Sequence, residues 1–171
     1  MYIGGYCPGC GGGEGNQACA IARCSLAHEG VLYCIDCEDY PCGKFQDIEK
    51  MDSFIVHRNQ RKDLEKMKAM GLDAYQKEQQ EKMKLLSRLL SGYNDGRHKS
   101  FFCLAVNLLE MNDLDDLMKE IEKKAEAMEL PVKEKTRVAV EAFERKAKSR
   151  GILLKLNRKK QKKEERLNQI N

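Results

Sequence analysis

The fold is built around the stretch Phe101-Phe102-Cys103-Leu104-Ala105-Val106-Asn107-Leu108-Leu109, in which eight of nine residues are apolar. A helix that is apolar on every side is typical of the centre of a domain, where neighbouring elements cover all of its faces. The sequence therefore predicts a central buried helix over residues 101–109. Because Cys103 lies inside this run without a neighbouring ligand, we predict that it is a core residue.

Two helices are predicted downstream of this run. The first has apolar residues at the i, i+3, i+4, i+7 spacing of one helix face. This face consists of Leu114, Leu117, Met118, Ile121, Ala125 and Met128. Pro131 ends that helix and is predicted to be the first residue of the next, where a proline sacrifices no helical hydrogen bond. The last helix ends near Gly151 and has the apolar residues Val138, Ala139, Ala142, Phe143 and Ala147.

Two further helices are predicted upstream of the central run. One extends from about Phe45 to Met70 and is either continuous or broken near Ser53. The other begins at Asp73, in a sequence that resembles a capping box, and lasts to about Leu90. The central helix thus has predicted helical neighbours on both sides along the chain.

Seven of the eight cysteines lie near the start of the chain. Their spacing is Cys7-x2-Cys10-x8-Cys19-x4-Cys24-x9-Cys34-x2-Cys37-x4-Cys42. Two Cys-x2-Cys pairs so close together are typical of zinc knuckles, in which both thiolates of a pair bind one ion. Residues 1–6 do not resemble a secretory signal, so we predict a cytoplasmic protein whose reduced thiols bind metal instead of forming disulfides.

Residues 1–44 are predicted to form a metal-binding module, because a glycine-rich segment this short needs a metal to fold. A short helix is predicted over residues 18–29, followed by a short strand over residues 31–33. The predicted fold class is mainly α, with a small cysteine-rich zinc-knuckle module of minimal β content followed by a multi-helix domain over residues 45–151. Residues 152–171 are predicted to form a basic tail, either helical or frayed.

Seven thiolates are one ligand short of two four-coordinate zinc sites. His28 is the candidate eighth ligand, because it lies four residues after Cys24 and therefore on the same helix face. The alternative for His28 is an exposed histidine at a helix end, with an outside ligand completing the site. An iron–sulfur cluster is the alternative cofactor, although the tight bacterial cysteine spacing for such clusters is absent.

Two divisions of the cysteines between two ions stay open. If the knuckles converge, the first site consists of Cys7, Cys10, Cys34 and Cys37. The second site would then consist of Cys19, Cys24 and Cys42, with or without His28. In a sequential division the first site consists of Cys7, Cys10, Cys19 and Cys24. The second site would then consist of Cys34, Cys37 and Cys42.

The cysteine pattern resembles the family known as domain of unknown function 3795. The most specific part of the resemblance is Cys34-Ile35-Asp36-Cys37-Glu38-Asp39-Tyr40-Pro41-Cys42. The segment Asn94-Asp95-Gly96-Arg97, with the helix that follows it, is similar to a continuation seen in some members. The resemblance covers roughly residues 7 to 110 and implies a small zinc-binding protein without an assigned activity.

Positive charge is concentrated at the end of the chain. The net charge is +4, but residues 145–171 contain eleven Lys or Arg and two Glu, so the remainder carries −5. Weak, sequence-independent contact with RNA or DNA is predicted for residues 145–166, because the run has cations for phosphates but no aromatics for base stacking. A solvated terminal segment is the alternative. No stretch is long and apolar enough to span a membrane, so no membrane contact is predicted.

The sequence predicts no catalytic residue. None of the three histidines, His28, His57 and His98, lies in a recognisable Cys-His or Ser-His motif, and no phosphate-binding glycine loop is present. These observations favour a structural zinc protein that serves as an interaction or regulatory module for an unidentified protein partner. The alternatives are an iron–sulfur or thiol redox protein and a weak nucleic-acid binder.

Overall fold

The structure, a computed structural model, describes residues 20–28, 31, 33–52, 55–127 and 129–157. Its α-helices are α1 (Ala20–Ala27), α2 (Gln60–Met70), α3 (Leu72–Gly92), α4 (Lys99–Leu108), α5 (Met111–Ala127) and α6 (Val132–Ser149). Two short 3-10 helices, Cys34–Asp36 and Gly43–Phe45, lie between α1 and α2. These ranges contain no β-strand, so the prediction of a mainly α chain is confirmed.

Helix α4 is the centre of the fold. Six of its ten residues are buried: Phe102, Cys103, Leu104, Ala105, Val106 and Leu108. Helix α3 packs against α4 through Leu85, Leu86 and Leu89. The predicted central helix and the core position of Cys103 are therefore confirmed.

Helices α5 and α6 pack against each other, and their buried residues belong to the same hydrophobic core as those of α4. The predicted face of α5 is confirmed within the described residues, since Leu114, Leu117, Met118, Ile121 and Ala125 are all buried. Met128, the last residue of that predicted face, lies outside the described residues. On α6, the fully buried ring of Phe143 meets the ring of Phe102 edge-on at a centroid distance of 5.9 Å.

The predicted helix from Phe45 to Met70 was wrong in its first half. Residues 46–50 form turns, residues 51–52 and 56–57 are non-helical, and α2 begins only at Gln60. The physical reason is a set of long-range hydrogen bonds with residues 153–157. One of them is donated by Asp52 N–H to Asn157 O at 2.8 Å. Helix α2 does end at Met70, as predicted, with Gly71 in the positive-φ conformation that glycine adopts most easily.

Three local predictions need correction. Val31 and Tyr33 are not in a strand, and no neighbouring strand in the described ranges could pair with them, while Leu32 lies outside those ranges. Asp73 does not cap α3, which starts at Leu72 with Gly71 at its N-cap. Pro131 is the N-cap of α6 and not its first helical residue, with an extended ψ of 159°.

Residues 152–157, here called the C-terminal strap, run beside residues 50–52 and 56–58. Asn157 N–H donates to Asp52 Oδ2 at 2.8 Å, and Asn157 Nδ2 donates to Lys50 O at 2.6 Å. The Arg58 guanidinium donates to the carbonyls of Leu153 and Lys155 at 3.2 and 2.8 Å. This part of the expected tail is non-helical and packed on the domain, whereas residues 158–171 lie outside the described residues.

A network of ion pairs joins α2 to α3 and to the junction between α4 and α5. Lys66 Nζ donates to Glu78 Oε1 at 2.6 Å and to Glu110 Oε2 at 2.8 Å. Lys62 Nζ lies 2.5 Å from the other oxygen of Glu110. Hydrogen bonds from Lys62 and Lys66 lower the pKa of Glu110 to about 2, against an opposing effect of burial.

We predict that Glu110→Gln reduces stability at neutral pH by about 1 kcal/mol, a small value because this side chain is nearly half exposed. The folded-state pKa lies below the ordinary value of 4.5, so the charge stabilises the fold above pH 4.5 and this contribution is lost as the pH falls toward 2. Urea unfolding at pH 7, 5 and 3 should therefore show a shallower pH dependence in the variant. Glu81→Gln, which removes an exposed pair with Lys84, is the control. An equal effect in both variants would contradict the prediction.

Candidate metal centre

Four of the seven clustered cysteines line one small cavity between α1 and the segment that precedes α2. The cavity has a volume of about 30 Å³. Its potential metal ligands are Cys24, His28, Cys34, Cys37 and Cys42. The rest of its wall is formed by Ile21, Val31, Tyr40, Lys44 and Phe45. Potential ligands that are up to eighteen positions apart in the chain thus line one cavity.

Helix α1 positions two of these residues. Cys24 lies in its second turn, and His28 follows the last helical residue, with its N–H donating to Cys24 O at 3.1 Å. Both residues line the cavity, as their spacing of four predicts for a helix face. Cys24 is half-buried and His28 is exposed, so His28 lies at the open side of the cavity.

Tight turns position the other three cysteines. Cys37 N–H donates to Cys34 O at 3.1 Å, and Tyr40 N–H donates to Cys37 O at 3.1 Å. Phe45 N–H donates to Cys42 O at 2.9 Å, so Cys42 stands directly before the second 3-10 helix. Two successive turns after Cys34 thus bring Cys34, Cys37 and Cys42 to the same cavity, and all three are half-buried.

The structure tests only part of the predicted ligand set. Cys7, Cys10 and Cys19 lie outside the described residues. The cavity contains the three cysteines that the sequential division assigns to its second site, and it adds Cys24, which that division assigns elsewhere. It also contains Cys24 and Cys42, which the converging-knuckle division places together. The observed grouping therefore combines parts of both divisions.

The donor side chains border the cavity but do not converge on one point. Among the residues that the structure describes, no group of three His, Cys, Asp or Glu side chains is close enough to hold a metal ion. The donor types nevertheless fit zinc, which binds thiolate and imidazole in closed four-coordinate sites. The cavity volume also exceeds the roughly 10–15 Å³ that one water molecule needs, so a single ion fits.

Two wall residues, Tyr40 and Lys44, were not predicted from the sequence as part of the site. The Tyr40 ring stands edge-on to the buried Phe45 ring at a centroid distance of 5.2 Å. Lys44 also lines the cavity, so a cationic side chain borders the four cysteines. The signal for both residues was their position in the chain, two residues before and two residues after Cys42.

Three cations in the described part of the basic region pair with acidic residues of the fold. Arg145 lies 2.7 Å from Glu120, and Arg150 forms a two-point contact with the buried Asp113 at 2.7 and 2.8 Å. Lys146 lies 3.5 Å from the same carboxylate. These contacts use three of the cations that were predicted to contact phosphates, and residues 158–166 lie outside the described ranges. No helix in the described ranges is both long enough and apolar enough to cross a membrane.

Comparison with known families supports the resemblance at the start of the chain. A family model described as "Protein of unknown function (DUF3795)" matches residues 2–47. The match includes all seven clustered cysteines but ends before residues 94–105, for which a resemblance was also predicted. Searches of curated proteins and of solved structures found no match.

Proposed function

We propose that this protein binds zinc through the cavity between α1 and residues 34–45. The observation that carries this proposal is that Cys24, Cys34, Cys37 and Cys42 line the same cavity, with His28 at its open side. Soft thiolate donors select zinc over calcium or magnesium, which prefer oxygen. Four thiols also match the ligand number of a closed structural site, which favours a structural role over a catalytic one.

The role of the metal in this proposal is to hold two segments together. Helix α1 has eight residues, which is too short to be stable by itself in water. In the facing segment, residues 34–45, Phe45 is the one residue whose surface is buried. Because so little apolar surface is available, bonds from thiolates of both segments to one ion would supply the missing stabilisation.

Metal analysis of two alanine variants tests this proposal. We expect protein purified without oxygen to contain zinc by mass spectrometry, and Cys37→Ala to lose about one equivalent per chain. Cys103→Ala is the matched control, because Cys103 lies in the helical core and not on the cavity. Equal zinc content in wild type and Cys37→Ala would sink the proposed site. A brown protein that contains iron would instead indicate an iron–sulfur cluster as the cofactor.

Alanine variants of the other cavity cysteines can resolve how the ligands are divided between metal ions. If the cavity is one site, Cys24→Ala and Cys42→Ala should each remove the same zinc equivalent that Cys37→Ala removes. A double variant, Cys24→Ala with Cys37→Ala, should then lose no more zinc than either single variant. Additive loss in the double variant would assign Cys24 and Cys37 to different ions, as both divisions predicted from the sequence do.

A further inference from the structure

Some residues of the cavity wall also belong to the part of segment 34–45 that packs against helix α2. The 3-10 helix Cys34–Asp36 begins at a cavity cysteine and packs against α2. Tyr40 lines the cavity and contacts Phe45 on one side. Burial raises the pKa of the Tyr40 phenol, and two charged residues of α2 also act on that pKa, which Glu65 raises and Arg61 lowers. One short segment therefore contributes both to the cavity and to the contact with α2.

The contact between this segment and α2 is incompletely hydrogen-bonded. By strict geometry, neither the buried Tyr40 Oη nor the buried Arg61 Nε has a well-aligned hydrogen-bond partner among the described residues, although the Arg61 guanidinium is close enough to interact with the Tyr40 phenol. Arg61 Nε lies 3.8 Å from a carboxylate oxygen of Glu49, which is too long for a hydrogen bond. Buried polar groups without partners cost free energy, so a small movement that completes these bonds would be favourable.

We propose that metal binding in the cavity and packing of the segment 34–45 on α2 are coupled, with Tyr40 and Arg61 as the connection. The inference rests on the proposed function. Ligands that now border the cavity must move toward the ion when they bind it, and Tyr40 lies between Cys37 and Cys42 in the chain. A shift of those two cysteines therefore moves Tyr40 relative to α2. Because coupling is reciprocal, weakening the contact with α2 must also weaken metal binding.

Two measurements on the full-length protein test the coupling. The first is hydrogen exchange of the metal-free protein with and without one equivalent of zinc, in which we expect slower exchange of the α2 amides and unchanged exchange in α6. The second is zinc affinity, measured by competition with a chromophoric chelator. Arg61→Ala should bind zinc about 5–10-fold more weakly than wild type, which is near the lower end of typical coupling between sites.

Arg137→Ala is the matched control for the affinity measurement, because Arg137 is an exposed arginine on α6 that pairs with Glu134 and Glu141. Tyr40→Phe removes the hydroxyl and keeps the ring in the wall, so it should weaken zinc binding in the same direction as Arg61→Ala. Circular dichroism shows whether each variant retains its helices. Both the slower exchange in α2 and the weaker binding of Arg61→Ala are required for the coupling to stand.

The outcomes separate the coupling from the proposed function. If wild type binds one zinc but Arg61→Ala binds it equally well, the coupling is wrong and the zinc site stands. Weaker binding by Arg61→Ala without any change of exchange in α2 also overturns the coupling, since Arg61 would then act on the cavity directly. If wild-type protein binds no zinc, the proposed function and the coupling fail together.

Discussion

Replacing Phe143 with alanine should lower the free energy of unfolding by about 3–5 kcal/mol. The Phe143 side chain is fully buried, and its ring meets Phe102 of α4 edge-on. Truncation removes the ring contact between Phe143 and Phe102 of the central helix. It also leaves a cavity that the surrounding helices can close only in part. Urea unfolding followed by circular dichroism measures the loss.

Val132→Ala is the control for this prediction, because Val132 lies on the same helix but half of its surface is exposed. It should change stability by less than about 0.5 kcal/mol, as is usual for surface positions. A loss below about 1 kcal/mol in Phe143→Ala would mean that α6 is not part of the main core.

Replacing Asp52 with alanine should cost about 2–4 kcal/mol, because the change removes a buried carboxylate and leaves its partly buried partners unpaired. The Asp52 side chain is fully buried. It accepts hydrogen bonds from the backbone N–H groups of His57 and Asn157 at 2.9 and 2.8 Å. The Arg58 guanidinium lies 3.3 Å from the same carboxylate. The loss is measured by urea unfolding, and faster hydrogen exchange is expected in residues 50–58 and in the C-terminal strap.

Asp47→Ala is the matched control for Asp52, because Asp47 lies in the same segment and forms an exposed pair with Lys50 at 2.6 Å. An exposed pair of this kind contributes little, so this variant should unfold like wild type. Similar unfolding of Asp52→Ala and wild type would show that the C-terminal strap does not hold the segment before α2.

Local hydrophobic spacing predicted the helical domain well. The apolar faces of α4 and α5 and the buried residues Ala139, Ala142, Phe143 and Ala147 of α6 all appear in the core. These helices are specified by residues three or four positions apart, so their pattern is visible in a single sequence. The predicted helix end at Met70 was correct for the same kind of reason, since Gly71 directly follows it.

Distant contacts explain what the sequence did not predict. Residues 46–59 were expected to be largely helical, but the conformation of the described residues in this range depends on hydrogen bonds that join Asp52 and Arg58 to partners between 95 and 105 positions further along the chain. No local pattern reports such partners. At the cavity, the ligand spacing predicted which residue types would gather, whereas the involvement of Tyr40 depends on the packing against α2.

The C-terminal strap also bears on the timing of folding during synthesis. Asp52 and Asn157 are 105 residues apart in the chain, so the hydrogen bonds between them cannot form until Asn157 has been made. At usual elongation rates this interval lasts roughly 5–20 s. Throughout that time the Asp52 carboxylate, which is buried in the folded protein, and the Arg58 guanidinium lack their C-terminal partners. The C-terminal strap therefore completes the conformation of a segment that was made about 100 residues earlier.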